Sequence, residues 1–266
     1  MRIARFTRGD EPQYGVVSGD VDELGIPADD SRVVALAGDP LYVGVQLTDT
    51  ELALADVRLL APVLPRSKVV GIGRNYAAHA SEMGGDVPAE PLMFLKPNTS
   101  VVGPGDPVFY PRQSSEVHYE GELAVVIGRI CRDVTPDRVA EVVYGYTVGN
   151  DVTARDLQRS DVQFTRAKGF DSFCPLGPWI ETELDTADLR VTTHLNGDLV
   201  QDGTTKEMVF DVSALVAHVS SVMTLLPGDV ILTGTPAGVG PLTAGDAVTV
   251  RVEGIGDLTN PVTALD

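Results

Sequence analysis

The sequence predicts a strand-rich α+β fold, and three observations carry the prediction. Segments with strand patterning outnumber helical ones along the 266 residues. Many joins between them are too short for the crossover that neighbouring parallel strands require. The dipeptide Asn196-Gly197 divides LRVTTHLNGDLVQDG into two runs, supplying the positive φ angles of a tight hairpin turn. A doubly wound parallel sheet is thereby disfavoured.

Residues 1–62 read as a small β-rich N-terminal domain, and 63–266 as a larger catalytic one. MRIARFTR and YGVVSG are short strands, VDELGIPADDSRVVALAGD is loop-rich, and LLAPVLPRSK is the connector. KVVGIG is a strand, followed by a short helix in NYAAHASEM with Asn75 as its cap. ELAVVIGRI is a buried strand. TPDRVAEVVYG reads as a helix with Thr135 as N-cap and Pro136 at its first position. YTVGNDV is a strand and TARDLQRSD a helical turn. DVSALVAHVSSVMTLL is the longest amphipathic helix, and GDVILTG, DAVTVRVEG and GDLTNPVT complete the strands. Trp179 is expected in the core.

Composition narrows the function. A formal net charge of −18 repels phosphate backbones, so nucleic acid is not an expected partner. No apolar run approaches the roughly 20 residues that span a bilayer, so no membrane partner is expected either. The first residues carry no apolar signal-peptide core. Two cysteines without a CxxC pair fit a reducing cytoplasm. Against this acidic background Arg155, Arg159, Arg166 and Lys168 cluster in one stretch, a local cationic surface that an anionic substrate would require.

The chemistry centres on His118-Tyr119-Glu120-Gly121-Glu122 followed by LAVVIG. Side chains alternate along a strand, so Glu120 and Glu122 share one face. Paired carboxylates entering a buried strand repel one another and lose hydration, and a divalent cation relieves both problems. Asp151, at the end of another strand, adds a third carboxylate. An all-carboxylate donor set favours Mg²⁺, Mn²⁺ or Ca²⁺ over zinc.

In GIGRNYAAH the third glycine of a dinucleotide fingerprint is replaced by Tyr76. His79 and Glu82 are three apart, share a helix face, and form a candidate general acid–base pair beside a Met83-Gly84-Gly85-Asp86 lid. Lys168 and Lys96 are candidates to anchor or polarise a substrate carboxylate. The segment GTPAGVG offers backbone N–H groups and the Thr235 hydroxyl to an anion.

The ordered set GIGRNYAAH, FLKP, HYEGELAVVIG, NDVTARDLQ, AKGFD, GPWI, LLPGDVILTGTPAGVG and GIGDLTNPV resembles the fumarylacetoacetate hydrolase family across nearly all of the last 200 residues. The resemblance implies a mixed β-roll core, a homodimer, and a Mg²⁺ or Mn²⁺ ion on Glu120, Glu122 and Asp151. It implies catalytic roles for His79, Glu82 and Lys168, with Arg74, Gln158 and Thr235 lining the pocket. The hydrolase that names the family has a further Asp ligand where Ile72 stands here. The chain therefore resembles the smaller branch of acylpyruvate hydrolases, oxaloacetate decarboxylases and 2-hydroxyhepta-2,4-diene-1,7-dioate isomerases of aromatic catabolism. The implied partner is a small anionic 2-oxo or enol dicarboxylate, turned over by hydrolysis, decarboxylation or isomerisation.

Overall fold

A computed structural model of the chain describes residues 1–9 and 11–265. The run GELAVVI forms the strand Gly121–Ile127, in which every residue is buried. That explains why the apolar stretch is continuous rather than alternating: both faces of the strand are covered. It pairs antiparallel with Val143–Asn150 on one side and with Val230–Leu232 on the other. The sheet then runs through Val69–Gly73, parallel to Val230–Leu232, and ends on Leu92–Lys96. In the other direction it continues through Cys174–Glu181, Arg2–Thr7, Gln13–Ser18, Arg32–Leu36 and Leu47–Ala53. A separate five-stranded sheet contains the hairpin Arg190–Leu195/Asp198–Thr204 and the strands Ala247–Val252, Gly256–Ala264 and Val108–Tyr110. The fold is thus mixed and dominated by sheet, as the strand count predicts.

The first 60 residues are continuous with this sheet through Arg2–Thr7 against Cys174–Glu181. Their apolar residues share its core: Ile3 and Leu36 pack in one cluster with Ala124, Val126 and Leu176. Trp179 is buried in the core.

Several local expectations are corrected. The loop-rich stretch VDELGIPADDSRVVALAGD also supplies the strand Arg32–Leu36, which pairs antiparallel with Gln13–Ser18. TPDRVAEVVYG contains only a 3₁₀ segment, Pro136–Glu141, and Thr135 makes no side-chain cap bond. The β-branched and aromatic run after it joins the strand Val143–Asn150 instead, a sheet partner overriding weak helix propensity. Asn75 does not cap the helix Ala77–Glu82, whose cap position is Tyr76. Its amide instead donates to the carbonyls of Phe210 and Thr233 at 2.9 and 2.8 Å and accepts from Phe210 N–H. The longest helix, Val212–Val222, is capped by Asp211 on the Ala214 N–H.

Asp229 anchors the return to the central sheet. Its fully buried carboxylate accepts from Lys68 Nζ at 2.6 Å, Ser67 Oγ at 3.2 Å, Lys68 N–H at 3.1 Å and Leu226 N–H at 2.9 Å. Asp229→Ala leaves a largely buried ammonium without its carboxylate, and is expected to cost about 3–5 kcal/mol. Urea unfolding measures this; a loss below about 1 kcal/mol would refute the anchor role.

Candidate active site

Glu120 links the short strand Val117–Tyr119 to Gly121–Ile127, and Asp151 follows the neighbouring strand Val143–Asn150. The antiparallel register Gly121↔Asn150 brings the two strand ends together. Carboxylate oxygens of Glu120, Glu122 and Asp151 all lie within 4.8 Å of one another, and all three residues are buried. The expected trio is therefore assembled.

Their electrostatics differ. Burial raises the Glu120 carboxyl pKa, but Arg155 and Lys168 outweigh it and hold the group below its ordinary range. Arg155 Nη2 donates to Glu120 Oε1, and Lys168 Nζ donates to Glu120 Oε2 at 2.7 Å and to Asp151 Oδ2 at 2.6 Å. Burial works against the charged Lys168 ammonium, but Asp151 and Glu120 outweigh it and keep the lysine protonated. Glu122 forms no ion pair among the described residues. Burial first, then the charges of Asp151 and Glu120, push its carboxyl well above the ordinary value. Its one hydrogen bond among the described residues is from Gly234 N–H at 2.7 Å. A buried carboxylate with two anionic neighbours and no cation of its own suits a hard divalent ion, and the all-oxygen donor set fits Mg²⁺ or Mn²⁺.

Glu120 and Glu122 line a cavity of about 230 Å³. His79, Arg74, Gln158, Lys168 and Thr235 share its wall with Arg155 and Arg159, while Ile72, Met83, Leu92, Phe94 and Phe164 supply an apolar side. His79 Nδ1 lies 3.2 Å from Glu82 Oε2, and Glu82 accepts from Gly238 N–H at 3.1 Å. The N–H groups of the glycine loop thus bind an anion as expected, but the anions are the protein's own carboxylates, Glu122 and Glu82. Thr235 is on the wall, but its hydroxyl is committed to the Gly121 carbonyl at 2.8 Å. Gln158 Oε1 accepts from Arg155 Nη1 at 2.7 Å, leaving its NH₂ as the group it can offer a ligand. Arg74 sits in the left-handed region, at φ 58°, with its guanidinium against Gly85 in the loop after the helix.

Lys96 lies apart from the cavity wall. It is expected to touch substrate, yet it is buried and absent from the cavity wall. Its ammonium donates to Asp151 Oδ1 at 2.5 Å and to the Val152 carbonyl at 3.2 Å. The strand Leu92–Lys96 ends behind Asp151, so the lysine acts as a counter-ion.

Sequence reasoning places Arg155 only in a basic cluster, whereas it is fully buried and joins Glu120, Gln158 and His118. It opens the helix Arg155–Ser160, and its partner Glu120 lies 35 residues away in sequence, so no local pattern marks the contact. Phe94 and Phe164 meet edge-on at 5.9 Å, and Lys168 Nζ lies 4.8 Å from the Phe94 centroid, within cation–π range. Gly71 in the GIG segment leaves room for the cross-strand Phe94 ring, since a Cβ there would stand 2.2 Å from Phe94 Cζ. Ring packing accounts for that glycine without a nucleotide.

On the helix Arg155–Ser160, Asp156 holds the approach to Val117–Tyr119. It accepts from Ser114 Oγ at 2.6 Å, Ser115 N–H at 2.9 Å, Ser115 Oγ at 3.1 Å and Leu157 N–H at 2.9 Å. Burial opposes ionisation, but these bonds prevail and lower its pKa from 3.8 to about 2. The folded value lies below the unfolded one, so its stabilisation is complete above the unfolded pKa. It is lost as pH falls through the folded one. Asp156→Asn is expected to be less stable than wild type by on the order of 1 kcal/mol at pH 7, solvent screening included. The gap should close between about pH 4 and pH 2; denaturant midpoints that differ equally at pH 7 and pH 2.5 would contradict this.

Comparisons with known proteins identify the family. Residues 68–263 match the family model described as fumarylacetoacetate (FAA) hydrolase C-terminal, and residues 1–62 match Rv2993c-like, N-terminal. Protein Rv2993c of Mycobacterium tuberculosis is 52% identical over 98% of both chains. The crystal structure of 5-carboxymethyl-2-hydroxymuconate delta-isomerase from Mycobacterium smegmatis superposes with a TM-score of 0.91, at 49% identity and full coverage of both chains. Oxaloacetate tautomerase fahd2, mitochondrial, of Xenopus laevis is 43% identical over 98% of this chain and 90% of its own. With its matched domain, its sheet-dominated fold and relatives named for isomerase and tautomerase activity, the chain is an enzyme of the fumarylacetoacetate hydrolase family.

Proposed function

We propose that this enzyme isomerises or tautomerises a small 2-oxo or enol dicarboxylate, using a divalent cation, Mg²⁺ or Mn²⁺, held by Glu120, Glu122 and Asp151. The observation that carries this reading is the trio of buried carboxylates within 4.8 Å of one another, two of them lining a cavity with cationic walls. The names of the similar isomerase and tautomerase support the type of reaction. When bound, such an ion supplies Lewis-acid stabilisation to enolate charge beside a carboxylate.

The side chains divide the remaining work. His79, oriented by Glu82, takes a proton from one substrate atom and returns it to another. Arg155 and Lys168 keep Glu120 ionised, and Lys168 adds positive charge on the cavity wall. Arg74 and the Gln158 amide hold the remote carboxylate. Phe94, Phe164 and Leu92 cover the unsaturated middle of the substrate and exclude water. The resemblance to the family also supports a homodimer, which sedimentation reads directly. The His79–Glu82 pair favours a second reading, hydrolysis of an acylpyruvate, with the pair activating a water.

The test follows three substrates with Mg²⁺ or with EDTA: oxaloacetate, a 2-hydroxy-2,4-dienedioate and acetylpyruvate. The expected result is Mg²⁺-dependent change of enol or diene absorbance without release of CO₂ or acetate. Acetate released from acetylpyruvate as the fastest reaction would replace isomerisation by hydrolysis, and CO₂ from oxaloacetate would replace it by decarboxylation. Turnover indifferent to EDTA would contradict the metal.

A further inference from the structure

Gly121 stands between two of the three clustered carboxylates, and its backbone lies beyond the ladder with Val230–Leu232, which pairs only Ala124, Val125 and Val126. Two side chains replace the missing strand. Gly121 N–H donates to Gln201 Oε1 at 3.0 Å, and the Thr235 hydroxyl donates to the Gly121 carbonyl at 2.8 Å. Gln201 Nε2 donates to Thr235 Oγ1 at 2.8 Å, which closes a ring. Its second proton goes to the Pro236 carbonyl at 2.8 Å, and the Thr193 hydroxyl donates to Oε1 at 2.7 Å. A glutamine amide has two donors and two strong acceptor sites, and here all four are engaged.

Gln201 belongs to Asp198–Thr204, a strand of the separate five-stranded sheet. Its amide therefore ties three elements together: the Glu120-Gly121-Glu122 strand, the 234–240 loop and that sheet. The same strand supports the loop a second time, because a Cβ on Gly238 would stand 2.3 Å from the Val200 carbonyl oxygen. Gly238 N–H in turn holds Glu82, and Glu82 holds His79. The absence of a side chain at Gly121 belongs to the same arrangement, since a Cβ there would stand 2.3 Å from Thr193 Oγ1.

We propose that Gln201 is a positioning residue that sets the carboxylate strand and the glycine loop in register, so that the metal ligands and the His79–Glu82 pair face one cavity. The inference rests on the metal-dependent reading above and adds to it a residue that touches neither ion nor substrate.

Three variants test it. Gln201→Met keeps the length and loses the hydrogen bonds. Gln201→Glu keeps acceptors for Gly121 and Thr193 and loses both donors to the loop, so it serves if the methionine variant does not fold. Thr193→Val removes one bond to Gln201 and leaves the ring intact, which controls for loss of core stability. Hydrogen exchange over residues 233–240 reads loop placement without metal or substrate, Mn²⁺ titration reads the ligands, and kcat against KM reads the chemistry. Both Gln201 variants are expected to speed loop exchange, weaken Mn²⁺ binding by about tenfold or more, and lower kcat more than they raise KM. Thr193→Val should match wild type in all three. Wild-type loop exchange and Mn²⁺ affinity in Gln201→Glu would overturn the proposal, as would an equal Mn²⁺ loss in Thr193→Val. If wild type itself takes up no Mn²⁺, the metal reading falls, and the exchange comparison alone decides the role of Gln201.

Discussion

Glu122→Gln is expected to make the protein in EDTA more heat-stable while lowering turnover by on the order of 10³-fold or more. The two effects share one cause. Glu122 is buried beside Asp151 and Glu120 and forms no ion pair among the described residues, so its ionised form is disfavoured in the folded chain. A carboxyl whose folded pKa lies above its unfolded one lowers stability progressively as pH rises above the unfolded value. Glutamine has the same shape, can still accept from Gly234 N–H, and carries no charge to repel its neighbours. It also removes one anionic ligand, and with it the stabilisation of enolate charge on which the proposed reaction depends. Calorimetry in EDTA and Mg²⁺-dependent turnover check the pair of outcomes. A lower melting temperature than wild type in EDTA, or turnover within about tenfold of wild type, would show that Glu122 is not a repelled ligand.

His79→Asn is expected to lower kcat by about 10²–10⁴-fold, the range of general acid–base catalysis, while leaving KM and Mn²⁺ affinity close to wild type. The imidazole lines the cavity, and among the described residues its ion pair is with Glu82, which lies outside the carboxylate trio. Glu82→Gln should act in the same direction with a smaller effect, since an amide oxygen still accepts from Gly238 N–H but no longer balances an imidazolium. Steady-state kinetics and a Mn²⁺ titration on the same preparations separate the roles. Equal losses of kcat and Mn²⁺ affinity in His79→Asn would make the histidine a support of the metal site rather than the proton-transfer group.

How far the site was legible follows from the range of the interactions. The Glu-Gly-Glu alternation, the Asn196-Gly197 turn, where both residues have positive φ, and the three-residue spacing of His79 and Glu82 are local rules, and the structure follows each. The place of Lys96 was not legible, because its sequence neighbours say nothing about Asp151, 55 residues away, which accepts from its ammonium. Arg155 and Gln201 carry no local mark of burial. Their environments are made by strands that meet only in the fold, and Gln201 reaches Gly121 across 80 residues. The glycine loop shows the opposite error: its capacity for anions was legible, but which anions it holds depends on the strand Gly121–Ile127 and the helix Ala77–Glu82 packing beside it. The strand Arg32–Leu36 and the first residues of Val143–Asn150 were hidden for the same reason, since their neighbours in the sheet decide them.

The central claim is that Glu120, Glu122 and Asp151 together hold one divalent ion. Electron paramagnetic resonance titration of Mn²⁺ into the wild-type chain, with Asp151→Asn beside it, tests this most directly. The predicted result is one saturable Mn²⁺ per wild-type chain, displaced by Mg²⁺ and lost in Asp151→Asn. A wild-type chain that takes up no Mn²⁺, or an Asp151→Asn chain that binds it as tightly, would contradict the account.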